Sequence, residues 1–361
     1  MDAVLQRLTE QVQTARTQKT FLSILGSNSK SFYGGPTQGE PLDVRAVCGI
    51  SSYEPSELVV TVRAGTPLAE LEAALAEQGQ CLPFEPPRFG GQGTVGGMVA
   101  AGLAGPARAN VGGVRDYVLG ASLLTGKAEL LNFGGQVIKN VAGYDVSRLL
   151  VGSLGILGVI CEVSLKVLPK ATAVATLRFD VDQATGLKRL HEWGGQPLPI
   201  SASAWWEGTL VLRLSGAAAA VQAAQQKFGG EVIEASLAAQ FWAGLRDQSD
   251  EFFIGANKAV LGGATLWRLS LPQTAAPLKL SGEQLIEWGG AQRWLCTAAP
   301  GAALREAAAA AGGHATRFKS LNKNERVFAP LKPPLDRIHR ELKIAFDPDR
   351  IFNRGRLYPE L

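Results

Sequence analysis

The sequence predicts an α+β protein of two principal domains, on three observations. At 361 residues the chain exceeds the roughly 100–200 residues of an ordinary single domain. Glycine is concentrated in one part, with 24 of the 42 glycines within residues 1–169. All seven tryptophans (193, 205, 206, 242, 267, 288 and 294) lie beyond that point, where strands alternate with Ala-rich helices. The composition changes at Pro169, after an apolar run over 159–168. This gives a Gly-rich domain over 1–169, a Trp-containing domain over 170–325 and a closing segment over 326–361.

The opening MDAVLQRLTEQVQTARTQ reads as a polar amphipathic helix and lacks the apolar stretch of a signal peptide. Apolar runs at 21–25, 58–62, 118–124 and 159–168 read as strands. A helix over 67–78 has Thr66 as its expected N-cap, Pro67 at its first position and Gly79 as its stop. Leu68, Leu71 and Leu75 share one face of it. In the middle region, strand 175–179 leads to helix 182–193, which stops at Gly194 and Gly195. Strand 210–214 leads to helix 217–228, and a later helix covers 302–311. EWGG occurs at 192–195 and again at 287–290, while ATLRF (175–179) is echoed by ATLWR (264–268). A duplicated β-α-β unit and a shared helix-stop word both account for these echoes. Beyond Pro333 and Pro334, a last helix over 335–346 precedes an irregular tail.

Composition excludes several classes. The apolar fraction of 46% argues against disorder, and glycines without a triplet period exclude collagen. A net charge of +4, with no Lys/Arg run, gives no footprint for nucleic acid. The most apolar stretch, 149–161, is broken by Gly and Ser and is shorter than the ~18–20 residues that span a bilayer. Cys48, Cys81, Cys161 and Cys296 form no CxxC and read as reduced thiols of a cytoplasmic protein. With His191, His314 and His339 equally scattered, neither a zinc site nor an iron–sulfur cluster is expected.

Three loops carry the chemistry. From Gly90 to Gly113 nine of 24 residues are Gly, and no acid occurs from Pro86 to Arg115, while Arg88, Arg108 and Arg115 are present. Glycine lets backbone N–H groups approach a ligand, so an acid-free loop of this kind suits a pyrophosphate. The helical run over 95–101 that follows offers its N-terminus to the same anion. Gly91, Gly93 and Gly96 match GxGxxG, but Pro83, Pro86 and Pro87 exclude a central strand before them, so the Rossmann context is missing. No GxxxxGK[ST] occurs either. Gly26, Ser27, Asn28 and Ser29, directly after an apolar run, form a second candidate anion nest. The third element runs from Lys139 through Arg148 into Gly152, Gly155 and Gly158, a spacing that suits backbone packed against a flat group.

In this order and spacing the three loops resemble the FAD-binding domain of the vanillyl-alcohol oxidase type, the PCMH fold. KNVAGYDVSRLLVGSLGILGVICEVSLKVLP is similar to the glycolate/D-lactate dehydrogenase branch. LGSNSKSFYG, VRAGTPLAELEAAL, EPPRFGGQGTVGGMVAAGLAGP, VRDYVLGASLLTG and the tail FDPDRIFNRGRL resemble the FAD-binding E subunits of bacterial glycolate oxidase. The resemblance implies a PCMH-type domain of two α+β subdomains, a smaller ferredoxin-like α+β cap, and a C-terminal segment returning to the flavin domain. It implies that Gly26, Ser27, Asn28 and Ser29 hold pyrophosphate together with Gly93, Thr94, Val95, Gly96 and Gly97, flanked by Gly91 and Gly102. Gly158, Val159 and Ile160 would lie by the adenosine half, and Lys139, Asn140, Gly143 and Asn353 near the flavin. Asn28 stands where some relatives place a flavin-linking His, so non-covalent FAD is implied.

The catalytic relatives carry a His cluster, often around a metal, that this chain lacks. Leu154 and Ile156 replace the Glu and Thr of their GSEGTLG. Tyr144, Lys139 and Arg148 remain as candidate catalytic groups. The implied role is the FAD subunit of a complex oxidising glycolate to glyoxylate, with a paralogous FAD subunit and an iron–sulfur subunit as partners. Its expected place is the cytoplasm, peripheral to the inner membrane through those partners. A self-sufficient D-2-hydroxy acid dehydrogenase and a non-catalytic scaffold are the alternatives.

Overall fold

A computed structural model describes residues 2–135, 145–323 and 325–361. The first helix, α1 (Ala3–Gln18), is capped by the Asp2 carboxylate and buries Leu8, Val12 and Ala15. Its apolar face covers β1 (Leu22–Leu25), which pairs in parallel with β2 (Glu40–Asp43). An antiparallel five-stranded sheet follows, in the order β3 (Ile50–Glu54), β4 (Val59–Arg63), β8 (Val159–Lys166), β6 (Val118–Leu124), β7 (Leu130–Gly134). The short pair β5 (Gln80–Cys81) and β9 (Leu168–Pro169) closes its lower edge. Helices α2 (Leu68–Glu77) and α3 (Val95–Ala101) pack on this sheet and form one core with it. Single turns α4 (Arg108–Val111), α5 (Val114–Tyr117) and α6 (Val146–Leu149) complete this part.

Thr66 is not the cap of α2. That position belongs to Pro67, and the Thr66 hydroxyl instead accepts from Gly49 N and donates to the Arg63 carbonyl. A buried hydroxyl serves better as a staple between two loops than at a helix start, where the fixed φ of Pro67 already sets the geometry.

The rest of the chain forms an eight-stranded antiparallel sheet. Its strands are β10 (Ala173–Asp180), β11 (Ile200–Trp206), β12 (Thr209–Gly216), β13 (Glu231–Ile233), β14 (Thr265–Ser270), β15 (Glu283–Glu287), β16 (Gln292–Thr297) and β17 (His314–Lys319). The spatial order is β13-β10-β12-β11-β15-β16-β14-β17. Read outward from the β11–β15 contact, the two halves match strand for strand. Each is a ferredoxin-like unit, so the expected cap topology occurs twice in one sheet. Helix α8 (Ala218–Phe228) links third and fourth strands in the first half, as α11 (Gly301–Ala310) does in the second. Helix α7 (Gln183–Gly194) links the first two strands of the first half, and the Pro-containing segment 271–282 replaces it in the second.

The sequence echoes divide accordingly. ATLRF and ATLWR fall on the equivalent strands β10 and β14. EWGG ends a helix at 192–195 but turns the β15–β16 hairpin at 287–290, so it marks no equivalent position. Between the halves, α9 (Ala235–Asp247) and α10 (Glu251–Leu261) lie on the sheet face that meets Tyr33, Ala101, Leu103 and Leu154. Helix α12 (Leu335–Phe346) then returns the chain to the first part, where Leu22 bridges Phe352.

Candidate functional site

Strand β1 is followed directly by Gly26, and the loop that begins there faces the start of α3. A Cβ on Gly26 would lie 2.6 Å from the Thr94 hydroxyl, so only glycine permits this approach. Thr94 caps α3 by accepting from Gly97 N at 3.2 Å. The two loops border a cleft of about 490 Å³, within the range of small-molecule and cofactor sites.

The helix start is not the anion site that its position suggested. Val95 N donates to Thr66 O, Gly96 N to Ala64 O, Gly97 N to the Thr94 hydroxyl and Met98 N to Thr94 O. All four leading amides are therefore already bonded within the protein. The loops offer donors instead. Among the described residues, the backbone N–H groups of Gly26 to Lys30 and of Gly90 to Thr94 reach no protein acceptor. Loops with unbonded donors of this kind suit a multiply charged anion.

Several residues expected at the site do line this cleft: Gly26, Ser27, Asn28, Ser29, Thr94, Gly96, Gly97, Gly158, Ile160 and Asn353. Others stand apart. Val95 and Val159 are fully buried in the cores, their strand and helix positions turning them away from the cleft. Gly91 is exposed at the tip of its turn, and Gly102 ends α3 in a left-handed conformation. Gly93 lies behind the wall, where a Cβ would sit 3.4 Å from Lys30 Nζ. Lys139, Asn140, Gly143 and Tyr144 lie outside the described residues. Arg148 is not a cleft residue, because its guanidinium pairs with Asp145 at 3.0 Å.

Asn353 acts as a strut. Its Oδ1 accepts from Ile24 N at 2.8 Å and its Nδ2 donates to Leu154 O at 2.6 Å, so both ends of the amide are used. Gly155 has φ of +76°, and a Cβ there would strike Asn353 Nδ2 at 2.6 Å.

Sequence reasoning missed the cations. Lys30 and Lys323 line the cleft, as does Arg356, which donates to the carbonyls of Lys30, Ser31 and Gly35. Burial pushes the Lys30 ammonium down to about 8. Lys30 and Arg356 lie inside the LGSNSKSFYG and FDPDRIFNRGRL words, where a charge among glycines is the legible signal. By contrast, Arg88 from the acid-free stretch is engaged by Glu72 at 2.7 Å, and Arg108 lies 4.6 Å from the Trp288 ring.

Strand β14 of the eight-stranded sheet carries Arg268 toward the Tyr33 segment of the first part. It donates to the Tyr33 hydroxyl at 3.1 Å and lies over the Tyr33 and Phe318 rings. Its Nε is buried without an acceptor, and the Oε1 of Gln292 is buried without a donor. Burial, and secondarily the nearby Arg268, lower the pKa of Arg108. Beside them the buried Glu287 accepts from Trp294 Nε1 at 2.6 Å and from Gln292 Nε2 at 3.0 Å, and burial pushes its pKa up to about 7. Among the described residues no three His, Cys, Asp or Glu side chains converge as metal ligands.

Residues 5–134 match the FAD binding domain family. Over 356 residues the chain is 50% identical to glycolate oxidase subunit GlcE of Escherichia coli, covering 99% of this chain and 98% of the relative. This chain belongs to the GlcE family. Glycolate oxidase subunit GlcD of Bacillus subtilis is 32% identical over 128 residues, which span 36% of this chain and 27% of that relative. Alkyldihydroxyacetonephosphate synthase shares the fold, with a TM-score of 0.65 at 14% identity over 96% of this chain and 73% of that one. The cofactor of this GlcE-family chain is FAD, and the cleft suits it: it is lined by the Gly26–Lys30 loop, whose N–H groups reach no acceptor among the described residues, by the Lys30 ammonium, which has no counter-ion among them, and by Gly26 where that loop meets Thr94. Among the described residues no helix is long and apolar enough to cross a membrane.

Proposed function

We propose that this chain is the FAD-bearing subunit of a glycolate oxidase complex that oxidises glycolate to glyoxylate and passes the electrons to partner subunits. The observation that carries the reading is the 50% identity to GlcE along the whole chain. FAD supplies a two-electron acceptor for the hydride on the hydroxy acid Cα. The chain's own residues do the holding. Gly26 to Ser29 and Thr94 would receive the pyrophosphate on their N–H groups, Gly158 and Ile160 would border the adenosine half, and Asn353 would brace the wall at the flavin end. Gly97 would leave the cleft wall open beside Thr94. The linkage is non-covalent, with Asn28 offering no imidazole to attach.

The partners in this reading are a paralogous FAD subunit and an iron–sulfur subunit. The 32% identity to GlcD over 128 residues of this chain supports a paralogous partner. Residues 1–169 would form the flavin domain, 170–325 the cap and 326–361 the returning segment, in a cytoplasmic complex held at the inner membrane by its partners. His191 on α7, His314 on β17 and His339 on α12 sit on separate elements, which favours hydroxyl deprotonation in the partner.

One observation favours a second reading, in which this chain binds the acid itself. Arg268 Nε is buried without an acceptor where the eight-stranded sheet meets Tyr33, with Arg108 near it. A carboxylate between two guanidiniums would satisfy both. Dye reduction by the isolated chain with glycolate separates the readings. Rates equal to those of the complex, lost in Arg268→Met, establish the second. No turnover by the chain alone, with turnover restored on adding the partners, establishes the first.

A further inference from the structure

We infer that Lys30 is the charge that neutralises the cofactor's pyrophosphate and makes this cleft selective for phosphorylated ligands over an uncharged flavin. The inference rests on the FAD reading of the cleft and deepens it. Lys30 ends the Gly26–Ser29 loop, lines the cleft and lies 5.7 Å from the centre of the Phe89 ring. Its Nζ lies 3.4 Å from where a Cβ on Gly93 would sit, so the ammonium reaches from its own loop to the Gly90–Thr94 loop, and the N–H groups of both reach no acceptor among the described residues. Among the described residues its ammonium donates to no acceptor and pairs with no carboxylate.

A desolvated cation without a counter-ion destabilises a fold unless an anion joins it. The other cations nearby have work in the protein. Arg356 holds three carbonyls of the same loop, and the Lys323 ammonium donates to Phe32 O. Backbone amides carry only partial charge, so a pyrophosphate between the loops needs one full positive charge within reach. Lys30 is placed to supply it.

The experiment compares three ligands on the full-length chain stripped of flavin: FAD, ADP (which carries the pyrophosphate without the flavin) and riboflavin (which carries neither phosphate). Binding is read by flavin fluorescence and, for ADP, by calorimetry. Loss of one charge-assisted contact should weaken FAD and ADP about ten- to a hundredfold in Lys30→Met, leave riboflavin unchanged, and be largely restored in Lys30→Arg. If Lys30→Met does not fold, Lys30→Gln and Lys30→Arg carry the same comparison. Equal FAD and ADP affinities in the wild type and the charge-removing variants would overturn the role of Lys30 while leaving the flavin site standing. A folded wild-type chain that binds neither FAD nor ADP would overturn the flavin reading itself.

Discussion

Lys343 and Asp347, one turn apart at the end of α12, form a fully buried ion pair with Nζ 2.7 Å from Oδ2. All three ammonium protons are used, and the carboxylate accepts three hydrogen bonds. Lys343 also donates to the carbonyls of Ile156 and Phe352, and Asp347 accepts from Ile351 N and Phe352 N. The pair thus fastens the C-terminal tail to the glycine-rich 152–158 loop that borders the cleft. A Cβ on Gly126 would strike Asp347 Oδ1, so that glycine admits the carboxylate.

Removing one partner leaves the other charge buried alone, which typically costs about 3–5 kcal/mol. Lys343→Met is therefore expected to lower unfolding free energy by that order, measured by urea denaturation. A loss within the error of the method would show that the pair is not a fastening.

Asn353→Ala removes the acceptor for Ile24 N and the donor for Leu154 O. Leaving buried groups unsatisfied costs about 1–3 kcal/mol each. Because both partners are cleft walls, the expected result is faster flavin loss on dialysis as well as lower stability. Asn353→Asp keeps the Ile24 contact only and should fall between the two. Unchanged flavin retention in Asn353→Ala would remove Asn353 from the site.

Gly97→Val tests the open wall. A Cβ at Gly97 meets only the Thr94 hydroxyl, at 3.0 Å, whereas one at Gly96 meets Ala64 at 2.7 Å. Gly97→Val should leave the chain folded by circular dichroism but without flavin. Gly96→Val should lower stability itself. The opposite pattern would misplace the cleft.

Burial pushes Glu287 up to about 7, above its ordinary value of 4.5. The folded state therefore holds a proton that the unfolded chain releases. Stability from this group is full below about pH 4.5 and falls as pH rises toward 7. Glu287→Gln keeps a carbonyl for Trp294 Nε1 and should flatten the decline in stability measured between pH 5 and 7. An unchanged slope would assign the decline elsewhere, for instance to Asp250, which burial also raises.

How much of this was legible in the sequence depends on whether a residue's role is local. Strand β6 and helices α3 and α12 fall where period and punctuation place them, because Thr94, Gly102 and Phe346 act on their own turns. The cleft-lining glycines were legible for the same reason. Thr66 was misread because its partner, Gly49, is 17 residues away. The helix-start amides were misread because Ala64 and Thr66, not a ligand, take them. Helices α9 and α10 went unseen, since their apolar faces are set by a sheet assembled from distant strands. For Lys30 the letters carry the charge beside a glycine loop but not its burial, which depends on the approach of Phe89 and Gly93 from a second loop.

The most direct test of the central claim is the absorption spectrum of the purified full-length chain, followed by identification of the pigment released on denaturation. An oxidised-flavin spectrum and release of one FAD per chain into the supernatant are expected. A colourless chain that takes up no added FAD, or a flavin that stays attached to the denatured protein, would contradict it.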